Sequence, residues 1–164
     1  MLKKLLLGIM LIAPLAGFSQ KFGVIDTDAL IEQMPQIKEV QATLNESSQK
    51  YEAEFNKLKQ ELENKYAELQ QLGTSTPEVI RERRLKEIQE LDQKINQFRQ
   101  AATEDLERQE EELMRPVRQA VSEAVRNVGI EGDFIIIFEN TTPAYTRSDV
   151  IDVTPMVKSK LGIL

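Results

Sequence analysis

Through the middle of the chain, apolar residues return at steps of three and four. The first stripe is Leu44, Tyr51, Phe55, Leu58, Leu62, Leu69 and Leu72. The second is Leu85, Ile88, Leu91, Ile95, Phe98, Ala102 and Leu106. It continues through Gln109, Leu113, Val117, Ala120, Ala124 and Val128. This is the period of a helix that buries a narrow seam, as in a coiled coil. Ser48 and Lys65 interrupt the first seam. The later four-residue steps relax left-handed supercoiling toward a straighter pair. Residues 36–128 are rich in Glu, Lys, Gln, Leu and Ala, all good helix formers. Glycine occurs there only at Gly73, and proline only at Pro77 and Pro116.

The segment from Gly73 to Glu78 separates the stripes. Gly73 suits a left-handed C-cap, Thr76 an N-cap, and Pro77 a first helical position. Two long helices joined there predict an antiparallel hairpin arm with its tip near 73–77. At 1.5 Å per residue the arm would reach about 50 to 75 Å. Pro116 is expected to kink or locally break the second helix, because it lacks a backbone donor.

The ends of the chain read as β structure. Phe22 to Ile25 is a strand candidate, and Asp26 or Thr27 can cap a short helix that runs to Gln33 and stops at Pro35. Phe134 to Phe138 is apolar at every position, so a strand there wants cover on both faces. Asn140 to Pro143 reads as a turn, and Ala144 to Thr146 as a returning edge strand. Asp152 or Thr154 caps a last helix, which carries Met156, Val157 and Leu161 and ends at Gly162. Three short strands and two short helices are marginal as a unit on their own. An oligomer is therefore inferred, with Val24, Ile25, Phe134, Ile135, Ile136, Ile137 and Phe138 as its core candidates. The opposing possibility is a monomer whose own helix bases cover both faces of the strand. The fold class is α+β, with a β body formed by 20–35 and 129–164 and a helical hairpin arm over 36–128.

Composition narrows the chemistry. The 164 residues include no Cys, His or Trp. Disulfides, thiolate metal sites, thiol nucleophiles and the Ser-His-Asp triad are excluded. An enzyme relying on paired carboxylates is disfavoured, and no cofactor or metal is expected. The net charge of −6 argues against general nucleic-acid binding.

The first residues have the layout of an export signal, with an uncleaved anchor as the competing reading. Met1 to Lys4 is basic, Leu5 to Phe18 is apolar and broken by Pro14, and Gly17 and Ser19 are small. The apolar run is short for a membrane span. Cleavage is expected after Ser19, which leaves a mature chain with a charge of about −8.

The whole mature chain resembles the Skp/OmpH family of periplasmic chaperones. Lys21-Phe22-Gly23-Val24-Ile25-Asp26 is similar to that family's opening strand. Phe134 to Glu139, Ala144-Tyr145, and Asp149 to Thr154 with Val157 are similar to its closing strands and helix. The resemblance implies a trimer with a jellyfish-like shape. It implies ATP-independent holding of unfolded outer-membrane proteins in the periplasm, in a cavity between three arms. The acidic charge departs from the basic members of the family. It counts against attraction to lipopolysaccharide or anionic lipid, and no lipopolysaccharide-binding constellation matches residue by residue.

Candidate client contacts flank the seam or the tip: Tyr66, Leu72, Val79 and Ile80. For each, simple completion of hairpin packing is the competing reading. Arg81, Arg83, Arg84 and Lys86 form a basic cluster just past the tip, and Glu104 to Glu112 holds six acids and one Arg. A solvated face with ion pairs accounts for these charges more simply than a membrane- or client-binding tip. The rival from another class is an exported coiled-coil spacer or tether without client binding.

Overall fold

A computed structural model describes residues 20–163. The leader expected over 1–19 lies outside the described residues. The elements are β1 (Lys21–Ile25), α1 (Thr27–Gln33), α2 (Pro35–Gln70), α3 (Glu78–Glu131), β2 (Phe134–Glu139), β3 (Ile151–Asp152) and α4 (Thr154–Lys160).

The three strands form one parallel sheet in the order β2-β1-β3. The expected edge strand at 144–146 is not formed. The sheet's far edge is instead Ile151–Asp152, paired with Gly23 and Val24. Parallel pairing explains the shift. A strand returning directly after the turn at 140–143 would run antiparallel to β2, whereas the longer excursion brings β3 alongside β1 in the same direction.

Local chemistry fixes the strand ends. Asp26 caps α1 by accepting from the Ala29 amide at 2.8 Å. The Thr27 amide and hydroxyl donate to the Glu139 carboxylate at 2.9 and 2.8 Å. The Asp26 amide donates to Thr154 Oγ1 at 3.0 Å. These bonds gather the C-terminal ends of all three strands. Pro35 opens α2 as well as closing α1, since its missing donor costs nothing in a first turn. At the end of α4, Gly162 adopts φ +68. The Gly162 amide bonds Ser159 and the Ile163 amide bonds Lys158, a Schellman closure.

One face of the sheet is covered. Ile25 packs with Leu30, Ala124, Val128, Val153 and Val157, and Phe134 and Ile137 lean on this core. Met34, Val117 and Val121 extend it. The last turns of α3 therefore lie under the sheet. The boundary between arm and body expected at 128/129 falls inside a continuous helix, and residues 117–128 belong to the core.

The seam between α2 and α3 centres on buried Leu58, Leu91 and Ile95, flanked by Phe55, Leu62 and Phe98. Ser47 bonds Gln109 at 2.8 Å, Tyr51 bonds Asp105 at 2.5 Å, and Lys65 pairs with Glu87 at 3.0 Å. As the residue number rises along α2, its partner's number falls along α3. Lys65, which breaks the apolar seam in sequence, is answered by that carboxylate.

Three local expectations need correction. Gly73 is not left-handed, because among the described residues the one glycine with positive φ is Gly162. The link from Gln71 to Pro77 is long enough to carry the chain between helices without such a residue. Thr76 is not the N-cap of α3; Pro77 occupies that position, with no side-chain bond. Pro116 does not break α3, which runs unbroken from Glu78 to Glu131. The next residue, Val117, is buried against the body, and Glu112, whose carbonyl loses its donor, faces water.

Two predictions follow from this packing. A Cβ at Gly23 would lie 3.1 Å from Val153, 3.2 Å from Ile137 and 3.3 Å from Phe134. Gly23→Ala should destabilise the body by about 1–3 kcal/mol through overpacking. The check is the urea midpoint of amide protection in β1, and an unchanged midpoint would show that the neighbours yield freely. The second concerns Glu87, whose carboxyl is lowered from its ordinary 4.5 to about 2 by hydrogen bonds from Lys65 and then Arg84. A lowered carboxyl stabilises the fold fully above its unfolded value and loses that effect as pH falls. Arm stability should therefore decline between about pH 4.5 and 2, and Glu87→Gln should flatten that decline. Equal acid sensitivity in both proteins would remove Glu87 as the cause.

Candidate functional site

The sheet has a second face, and it is bare. Phe22 pairs with Ile136 and Val24 with Phe138, so these four alternate residues share one side. Phe22 is 39% exposed, Ile136 44% and Phe138 38%. Ile135 stands outside the register, between the Lys21–Phe134 and Phe22–Ile136 pairs, and is more exposed still. β2 is also an edge strand, with one row of backbone groups free to pair.

The candidate core residues thus divide. Ile25 is 3% exposed and belongs to the chain's own core, with Phe134 and Ile137 beside it. Ile135, Ile136 and Phe138 remain uncovered, and Val24 is half-buried between them. Treating Val24 and Ile25 alike overlooked the two-residue period of a strand. The same period marks Phe22 as a member of the bare face, a residue the sequence reading did not select. Its signal was the alternation of Phe22 and Val24 with Gly23 and Ile25.

Along the arm, Tyr66, Val79 and Ile80 are exposed, Val79 by 75%, whereas Leu72 is half-buried. Tyr145, Ile130 and Met156 are further exposed apolar side chains on the body that sequence reasoning missed. Tyr145 lines a depression with Phe22, Val150 and Ile151 at the rim of the exposed sheet face.

The basic cluster past the tip is largely paired. Arg83 and Arg84 pair with Glu87 at 3.1 and 2.9 Å, and Arg84 also reaches Glu68 at 3.6 Å. Lys86 lies 3.7 Å from Glu90. Arg81 donates to the Gly73 carbonyl at 3.4 Å. Exposed pairs of this kind add little stability, but they offset part of the cluster's charge.

The acidic stretch is built differently. Asp105 accepts from Tyr51 and Gln109 and also pairs with Arg108. The hydrogen bonds from Tyr51 and then Gln109 hold its carboxyl below the usual range despite partial burial. The same bond from Tyr51, with the burial around it, raises that phenol. This network ties the two helices together across the seam. Among the described residues, no group of carboxylates is arranged to hold a metal ion, and no helix is long and apolar enough to cross a membrane.

Comparison with known proteins accords with this architecture. Among solved structures, the fold matches a chain from Caulobacter crescentus CB15 named as an OmpH-like outer membrane chaperone. The TM-score is 0.71 at 16% identity, over 87% of this chain and 83% of that one. At that identity the likeness speaks for the fold alone. No curated protein matches the sequence. A family model described as outer membrane protein (OmpH-like) matches residues 21–161. The match begins at the first residue of β1 and ends one residue past α4, so it takes in every element described. The chain belongs to the OmpH-like outer membrane protein family.

Proposed function

We propose that this chain is an ATP-independent holdase chaperone of the periplasm, exported by a cleaved leader over 1–19. It binds unfolded outer-membrane proteins and keeps them from aggregating on the way to the outer membrane. The mature chain works as a homotrimer. Three sheets meet through their bare faces, and three antiparallel hairpin arms enclose a cavity in a jellyfish-like assembly.

The observation that carries this reading is the uncovered face of Phe22, Ile136 and Phe138 on a parallel sheet. Parallel sheets are stable when both faces are covered. Copies of the same chain meeting face to face supply that cover and set the arms side by side. Family membership supports the reading, and so do the exposed apolar residues along the arm.

The mechanism needs no catalytic residue and no cofactor. Binding the unfolded client in preference to the folded one lowers the free concentration of the aggregating species. Weak contacts at residues such as Tyr66, Val79 and Ile80 add through the high effective concentration inside a cavity. The pairing of Arg83, Arg84 and Lys86 with glutamates argues against a membrane-binding tip, while Arg81 bonds only a backbone carbonyl.

Sedimentation of the chain from Gln20 onward should give three times the monomer mass at micromolar concentration, and a monomer would end the cavity model. Ile136→Asp should dissociate the assembly, since an unpaired carboxylate would be buried at the joint. An unchanged mass would show that β2 does not hold the subunits together. A urea-unfolded outer-membrane barrel diluted into stoichiometric protein should show suppressed light scattering. Unchanged scattering would favour a structural spacer instead.

A further inference from the structure

Midway along the arm the seam opens on one side. Between buried Val40 and Leu58 on α2, and between Ile95 and Val117 on α3, no residue is fully buried. Two depressions lie here, of about 420 and 300 Å³, adjoined by a third of about 540 Å³ that is only a polar outer face of α3. The first two share Ser48, Thr103 and Leu106, and Thr103 lines all three. The first two together make a shallow groove. Its floor is apolar: Leu44, Leu106, Phe55, Phe98 and Ala102, with Ser48 leaving the gap.

The rim is acidic. Glu52, Glu107 and Glu110 border the first two depressions and Glu104 the third, against the single cation Arg99. Several carboxylates elsewhere on the arm are ion-paired, as in Lys50–Glu46, Lys57–Glu54 and Arg108–Glu112. Among the described residues, the four rim glutamates make no ion pair.

We propose that this groove takes extended client segments in which apolar residues alternate with lysine or arginine. The inference rests on the chaperone reading and adds a preference within it. A strand-forming segment turns alternate side chains to one side. Its apolar set lies on the Leu44–Leu106 floor. Its long basic side chains run along the rim and bring their charge to Glu52, Glu107 and Glu110. Charge complementarity identifies the occupant, since an acidic segment would meet like charges on both sides of the floor.

The test uses the whole mature protein and short synthetic peptides of alternating apolar and variable residues, with Lys, Gln or Glu at the variable positions. Several exposed pairs together should make the Lys peptide bind about tenfold tighter than the Gln peptide in low salt. The advantage should fade in high salt, and the Glu peptide should bind weakest. Glu107→Gln with Glu110→Gln should reduce the Lys preference and leave Gln-peptide binding intact. The sequence has no cysteine, so Thr103→Cys gives a unique thiol. It should react with a maleimide in the free protein and be protected by the Lys peptide. Equal affinity for all three peptides, with light-scattering suppression retained, would overturn the preference and spare the chaperone reading. Loss of all peptide binding together with loss of suppression would overturn both. A thiol unreactive before any peptide is added would mean that another copy of the chain fills the groove, and would also overturn the proposal.

Discussion

A parallel sheet depends on cover for both of its faces, and this chain carries helices for one. α1, α4 and the last turns of α3 converge on Ile25, Val153 and Val157 and close the inner face. They cannot also reach the outer face. α3 forms the arm over its first turns and then enters the core through Val117, Val121, Ala124 and Val128. The helix that could have protected Ile136 and Phe138 is committed elsewhere along its whole length. The arm and the bare sheet are two results of one allocation of helix.

The arm itself is held by a thin seam. A narrow apolar stripe gives a strong cluster at Leu58, Leu91 and Ile95, but little beyond it. Toward the body, the polar bonds of Ser47 with Gln109 and Tyr51 with Asp105 take over. Such bonds add modest stability, but they discriminate between registers, because a shift by one turn would strand a partly buried carboxylate. The seam is closed by apolar packing in one stretch and aligned by polar pairs in another. The shallow groove beside Ser48 and Thr103 follows from that change of packing.

Charge is also distributed by position. Three of the four cations near the tip face glutamates one turn away, so a cluster that looks basic in sequence is partly paired in space. The glutamates beside the groove have no such partners. The tip's cations are mostly paired, and the glutamates of the groove rim are not.

The helices, their seam residues and the strands β1 and β2 were legible in the chain because each is a local pattern. Stripes at 3.6-residue spacing gave α2 and α3, and the unbroken Phe134–Phe138 run gave β2. Resemblance in the end segments gave the family. Details decided by neighbours far away in sequence were not legible. Examples are the place of β3, the unbroken path of α3 through Pro116, and the side of the sheet on which each β2 residue falls. Ile136 and Ile137 are chemically identical, yet one is bare and the other half-buried, and the bulge at Ile135 sets that assignment. Sequence pattern determined which segments must bury apolar surface. Only the tertiary structure decided which surfaces find cover within the chain, because cover depends on where α3 runs after it leaves the arm.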